Sequence, residues 1–368
     1  MPSVLSMIDL FAGCGGMTSG FAKAGYTPVL AVEWNHHAAA TYAANFGEDH
    51  IRHTDIATIR DKDIPQADVI VGGPPCQGFS NLGSRNIDDP RNSLWREYLR
   101  FVRRANPSVF VIENVDRFLT SSEFALLKDE IDGYHLSAGI LHAADFGVPQ
   151  RRRRAIVIGS RIGPIPLPTP THDRWHPVRA VLDGLPERPA TTALPATGTD
   201  FLGTRVPGVY KSADLHIGRN PTPLSLRRYR HIPPGGGRFD LPVELMPRCW
   251  REKKTGTTDV MGRLRWDQPS LTVRTEFYKP EKGRYLHPQW EPGEHGHRVD
   301  RPITHLEAAR LQSFPDEFRW CGTKVEIARQ IGNAVPPQLA RSIAEHLRPY
   351  LTGGAPTVPT CPLCHTFE

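Results

Sequence analysis

Cys76 follows two prolines in Gly72-Gly73-Pro74-Pro75-Cys76-Gln77-Gly78-Phe79-Ser80, directly after the apolar run 68–71. Two prolines fix a turn without needing backbone donors, so the next side chain is held at a set place above the end of a strand. A thiolate is the best carbon nucleophile among side chains, and one held near cations is more reactive than a packed thiol. Cys14, Cys249 and Cys321 have no such placement and read as packing thiols. Glu113 ends the apolar run Val109-Phe110-Val111-Ile112 and begins Glu113-Asn114-Val115. Burial there disfavours the charged carboxylate and favours an acid able to donate to a ring nitrogen. Gln150-Arg151-Arg152-Arg153-Arg154 leads into Ala155-Ile156-Val157-Ile158. Alternation along a strand puts Arg152 and Arg154 on one side and Arg151 and Arg153 on the other. Guanidinium groups so paired can hold a phosphate or carbonyl oxygen and favour a nearby thiolate.

A second constellation binds rather than reacts. Asp9-Leu10-Phe11-Ala12-Gly13-Cys14-Gly15-Gly16 runs from a strand through a glycine-rich turn into a helix, which lets backbone approach a ligand closely at the carboxyl edge of a sheet. Glu33, at the end of the next apolar run, is placed to accept from ribose hydroxyls. A nucleoside-bearing cofactor follows. NAD is disfavoured, because its fingerprint wants a glycine where Thr18 stands.

These groups need elements to position them. Apolar runs at 6–11, 29–33, 68–72, 108–113, 135–142 and 154–159 alternate with amphipathic stretches at 17–24, 36–46, 93–105 and 121–131. That pattern predicts a doubly wound, Rossmann-like α/β core with a parallel sheet and crossover helices. From residue 163 prolines become frequent, and the region up to about 261 carries few periodic segments. Helical signals return at 304–313, 325–330 and 337–351. The boundaries predicted are a core over 1–186, a smaller loop-rich domain over 187–262, a return to the core over 263–351, and a flexible tail over 352–368. Among the 368 residues no apolar run approaches the ~18 residues of a membrane span. The start of the chain lacks a basic leader, which predicts a cytoplasmic protein. Six scattered cysteines argue against a disulfide framework, and a net charge of +6 suits a polyanionic partner. Cys361-Pro362-Leu363-Cys364-His365 has half of a zinc site's spacing but no second ligand pair nearby, so no metal is predicted.

Together Cys76, Glu113 and Arg154 suit one unusual reaction. Carbon 5 of cytosine is too electron-poor to attack a methyl sulfonium unaided, but addition of a thiolate at carbon 6 turns it into an enamine-like nucleophile. The stacked duplex covers the ring, so the base must be flipped out. Five blocks of the chain occur in the order seen in bacterial DNA (cytosine-5)-methyltransferases of the restriction-modification type, and the chain resembles that family over nearly all its length. The blocks are those around Asp9, Cys76, Glu113 and Gln150, and finally Gln330-Ile331-Gly332-Asn333-Ala334-Val335-Pro336-Pro337. The resemblance implies S-adenosylmethionine as cofactor. It implies a pocket built from Phe11 on the adenine, Gly13 and Gly15 in the turn, Glu33 and Trp34 at the ribose, Asp55 and Ile56 at the adenine, and Pro75, Leu94, Asn333 and Val335 closing it. Cys76, Glu113, Arg152 and Arg154 are then catalytic, 79–92 is a lid over the flipped base, and 187–261 is the target-recognition region. Arg227, Arg228, Arg230, Arg248, Arg251, Lys253 and Lys254 are its candidate DNA contacts. Double-stranded DNA is the implied partner, bound by a monomer, with a cognate restriction endonuclease beside it. A tRNA cytosine-5 methyltransferase with the same chemistry is the alternative reading.

Overall fold

The computed structural model describes residues 4–75, 94–252 and 257–354. Cys76, the segment 79–92, Lys253, Lys254 and the tail cysteines lie outside them.

The first half of the chain forms β1 (Leu5–Leu10), α1 (Gly16–Lys23), β2 (Tyr26–Glu33), α2 (His36–Phe46), β3 (Ile51–His53), β4 (Val69–Gly72), α3 (Leu94–Ala105), β5 (Val109–Asn114), α4 (Ser122–Glu130), β6 (His135–His142), β7 (Gln150–Arg151) and β8 (Arg153–Ser160). Seven of these strands make one sheet in the order β3-β2-β1-β4-β5-β8-β6. β4 and β5 are buried along their whole length, which is why they read as unbroken apolar runs rather than alternating ones. On one face Met7, Val71, Val111 and Ile156 pack with Phe21 of α1 and with Leu339, Ile343 and Leu347 of the helix Pro337–Leu351. On the other, Leu10, Ile70, Phe110 and Val157 pack with Tyr98, Phe101 and Val102 of α3 and Leu127 of α4. Gly20 permits the first packing: a Cβ there would lie 2.5 Å from Ala340 Cβ, Arg341 N and Pro337 O.

The predicted strands and helices all occur, with one correction to the topology. β8 runs antiparallel to both β5 and β6, so the sheet is mixed at this edge rather than wholly parallel. The link from β6 to β8 is too short for the crossover helix that a parallel pair needs, and holds only the turn Ala143–Phe146 and β7.

Beyond β8 the structure consists of short helices and two-stranded ladders. Gly198–Phe201 pairs with Thr204–Pro207, Tyr210–Lys211 with Arg319–Trp320, Gly262–Arg263 with Arg284–Leu286, and β7 with Ser270–Leu271. Arg263 is a hub for the stretch between residues 229 and 300. Its buried guanidinium donates to the carbonyls of Tyr229, Ile232, His287 and Val299 and to Asp300 Oδ1 at 2.7–3.0 Å. Around it Tyr229, Ile232, Leu241, Met261 and Leu286 form a separate apolar cluster. The chain then returns through the helices His305–Leu311, Lys324–Asn333 and Pro337–Leu351. No helix among the described residues is long and apolar enough to cross a membrane.

Candidate active site

Glu113 sits at the end of β5, 8% exposed, and Arg154 near the start of the neighbouring β8. Arg154 Nε lies 2.7 Å from Glu113 Oε1, but its N–H is not aimed at that oxygen, so among the described residues no hydrogen bond reaches the buried Oε1. The ion pair therefore offers an acceptor and a cation to a third group. Gly73 closes the same corner, since a Cβ on it would stand 3.2 Å from Glu113 Oε2 and from the Glu113 carbonyl. Asn114, which the sequence marked only as a neighbour of Glu113, is buried and donates from Nδ2 to the Pro74 carbonyl at 2.9 Å, while its Oδ1 accepts from Val115 N at 2.8 Å. The turn leading to Cys76 is thus tied directly to the strand that carries Glu113.

Arg152 departs from the expected pairing. It is 1% exposed and donates to the Val273 carbonyl at 3.2 Å and the Gly332 carbonyl at 3.0 Å. Side-chain alternation does carry it toward Arg154 and Glu113, but the segment 270–275 and the end of the helix Lys324–Asn333 cover it. Gln150 is equally buried; it donates to the Leu311 carbonyl and Gln312 Oε1 and accepts from Val273 N. Arg151 and Arg153 are exposed, with Arg153 Nε 3.1 Å from Asp116.

The glycine-rich turn adjoins this corner along the sheet edge. Phe11 has φ 58° and Gly13 φ 56°, left-handed values that a non-glycine residue such as Phe11 holds only where surrounding structure imposes them. Glu33 Oε2 accepts from Gly13 N at 2.8 Å and Oε1 from Asn35 N at 2.6 Å; burial raises its carboxyl above the ordinary value, and the two amides oppose the shift. A Cβ on Gly13 would meet nothing within 4 Å, so open space lies beside that carboxylate. Phe11, Ile56 and Leu94 belong to one apolar cluster, Trp34 is 70% exposed, and Asp55 is engaged locally through Ala57 N. Asn333 is exposed at the end of its helix. Val335 follows it, its carbonyl 2.3 Å from where a Cβ on Gly16 would stand. Gly15 admits no Cβ either, since one would fall 2.3 Å from the Phe46 ring. An apolar slot, an acceptor carboxyl and a free backbone face are the features an adenosyl group needs. Beneath them Thr18 donates to buried Asp9 at 2.6 Å, and burial raises Asp9 to about 7.

The fold and these two adjoining corners define a methyltransferase of the Rossmann-like class. A model of C-5 cytosine-specific DNA methylases matches residues 5–348, and the chain belongs to that family. It is 34% identical over 358 residues to the Type II methyltransferase M1.HphI of Haemophilus parahaemolyticus, covering 93% of this chain and 86% of that one. Against the Type II methyltransferase M.NgoFVII of Neisseria gonorrhoeae it is 33% identical, covering 95% and 87%. A solved structure described as a prophage-encoded DNA modification methyltransferase from E. coli superposes with TM-score 0.70 at 26% identity, covering 94% and 99%. The S. pombe Dnmt2 methyltransferase shares the fold with TM-score 0.62 at 19% identity, covering 94% and 98%. The reaction is methylation of DNA cytosine at carbon 5 with S-adenosylmethionine as donor, and nothing in these likenesses favours an RNA substrate.

Proposed function

We propose that this chain methylates cytosine within one short DNA sequence through a transient bond from Cys76 to carbon 6 of a flipped-out base. The observation that carries the reading is the unspent, buried Glu113 Oε1 beside Arg154, on the strand to which Asn114 ties the Pro74-Pro75-Cys76 turn. Cys76 adds to carbon 6 as a thiolate. Glu113 donates a proton to ring N3 and Arg154 holds O2, so the charge that the addition pushes into the ring is drawn off there, and N3 returns the proton to Glu113 when the thiolate leaves. Carbon 5, now electron-rich, takes the methyl group; its proton then leaves to solvent, and the electron pair so freed expels the thiolate from carbon 6. S-adenosylmethionine supplies that methyl on a sulfonium, a good leaving group. Glu33 and Trp34 hold the ribose, Phe11, Asp55, Ile56 and Leu94 the adenine, and Gly13, Gly15, Pro75, Asn333 and Val335 the remaining walls.

The smaller region reads the sequence. Arg227, Arg228, Arg230, Arg248 and Arg251 supply phosphate and base contacts, and the Arg263 hub extends the folded unit past residue 262 to about residue 300. The reading includes a cytoplasmic enzyme that acts as a monomer on double-stranded DNA and protects sites from a cognate endonuclease, and the relatives' Type II names bear on the last of these. Genome-wide methylcytosine mapping in cells expressing the chain tests the reading. One short motif fully methylated is the expected result; unmodified DNA, or scattered methylation without a motif, contradicts it.

A further inference from the structure

Three buried polar side chains that the chemistry leaves unused, Gln150, Arg152 and Gln312, meet in one place. Arg152 bridges the Val273 and Gly332 carbonyls, and Gln150 accepts from Val273 N and donates to Gln312 Oε1 at 2.8 Å. Gln312 Nε2 in turn donates to the carbonyls of Ile331 and Ala334. The segment 270–275, which arrives from the smaller region, is pinned on its other side by Tyr285, whose hydroxyl accepts from Arg274 N and donates to Thr272 O, both at 3.2 Å. It also touches the cofactor side directly: a Cβ on Gly332 would lie 2.4 Å from Thr275 N. Asn333 is the next residue after Gly332, and Arg154 is two residues from Arg152.

We infer that Gln150, Arg152 and Gln312 form a strut that sets the position of the cofactor-closing residues Asn333 and Val335 against the 270–275 link. Arg152 is then a positioning residue for the cofactor rather than a contact to the base. This inference rests on the proposed roles of Asn333 and Val335. An unpaired buried carbonyl is costly, so the end of the helix Lys324–Asn333, which carries Gly332, follows whichever donor holds it. Arg152→Lys removes the fork in which Nη1 reaches the Val273 carbonyl and Nη2 the Gly332 carbonyl, leaving a single nitrogen in place of two. Gly332→Ala drives the end of this helix from Thr275 while leaving Arg152 intact.

Calorimetric titration with S-adenosylmethionine and steady-state methylation of unmethylated genomic DNA, on the whole chain, test the strut. R152K and G332A are each expected to raise the cofactor Kd and KM about tenfold, the equivalent of one charged hydrogen bond, and to lower kcat by no more than about threefold. A kcat about a hundredfold lower in R152K with an unchanged cofactor Kd is the signature of a base contact and overturns the inference. N333A separates this from the underlying reading. Should N333A weaken cofactor binding while R152K and G332A do not, the strut fails and the pocket stands. Should N333A bind normally, Asn333 leaves the pocket, and R152K and G332A still report the strut through Val335.

Discussion

In the proposed reaction Glu113 is the residue on which the chemistry of the ring turns. Glu113→Gln keeps the volume and removes the charge and the proton, so kcat is expected to fall by about 10²–10⁴ with cofactor affinity retained. Single-turnover methylation with parallel calorimetry measures both, and a near-normal kcat would remove Glu113 from the reaction. Asn114 makes a separate claim. Asn114→Ala leaves the Pro74 carbonyl buried without its donor, which is expected to cost about 1–3 kcal/mol of stability in urea denaturation and to slow methylation by freeing the turn before Cys76. An unaltered midpoint would show that solvent reaches that carbonyl. The positions of Glu113 and of the arginine run could be read from the sequence because the first stands where an apolar strand ends and the second where one begins. The partners of Asn114, Gln150 and Arg152 were not, since Arg152 meets Val273 and Gly332 from positions 121 and 180 residues away.

At the scale of elements, the cofactor corner depends on α1 lying flush against the helix Pro337–Leu351. Gly20→Ala pushes a methyl group into three atoms at 2.5 Å, two of them backbone, and is expected to cost about 1–3 kcal/mol. A lower denaturation midpoint with an unchanged slope is the measurement, and an unchanged midpoint would mean that the two helices separate freely. The core strands were readable because burial on both faces makes them continuous apolar runs. β3 was not read, having three residues of which only Ile51 is buried. The antiparallel β8 was foreseeable from the short link after β6, but pairing direction is otherwise a long-range property. Past residue 163 the ladders are two to four residues long, too short for any period to register, and the apolar residues that pack together there, Val178, Tyr210, Phe277, Phe314 and Ile331 among them, are scattered along the chain.

At the scale of the whole molecule, the groups around the helix His305–Leu311 carry a pH dependence of their own. Arg301 makes a two-pronged pair with buried Glu307 at 2.7 and 2.8 Å; burial would raise Glu307, but the guanidinium overrides it and holds the carboxyl down at about 2. Burial pushes His305 down to about 4 and His287 down to about 3. An unfolded imidazole titrates near 6.5. Below that value the unfolded chain therefore takes up protons that the folded one refuses. The contribution of each histidine is complete above pH 6.5 and declines by about 1.4 kcal/mol per pH unit as the pH drops toward its folded value. Asp9 acts in the opposite sense, its contribution complete below 3.8 and lost as the pH rises through about 7. His305→Asn is expected to flatten the dependence of denaturation midpoint on pH between about 6.5 and 4.5, and an unchanged slope would show that His305 is protonated within the fold. Both halves must close on one base for the proposed reaction, and the bond to carbon 6 reports that event most directly. Duplex DNA carrying 5-fluorocytosine in the mapped motif, incubated with S-adenosylmethionine, cannot lose a proton from carbon 5, so the thiolate cannot depart. The account predicts a denaturation-resistant protein–DNA adduct whose peptide mass maps to Cys76, absent in Cys76→Ala. An adduct that persists in Cys76→Ala, or none with the unaltered chain while ordinary cytosine in the same motif is methylated, would contradict it.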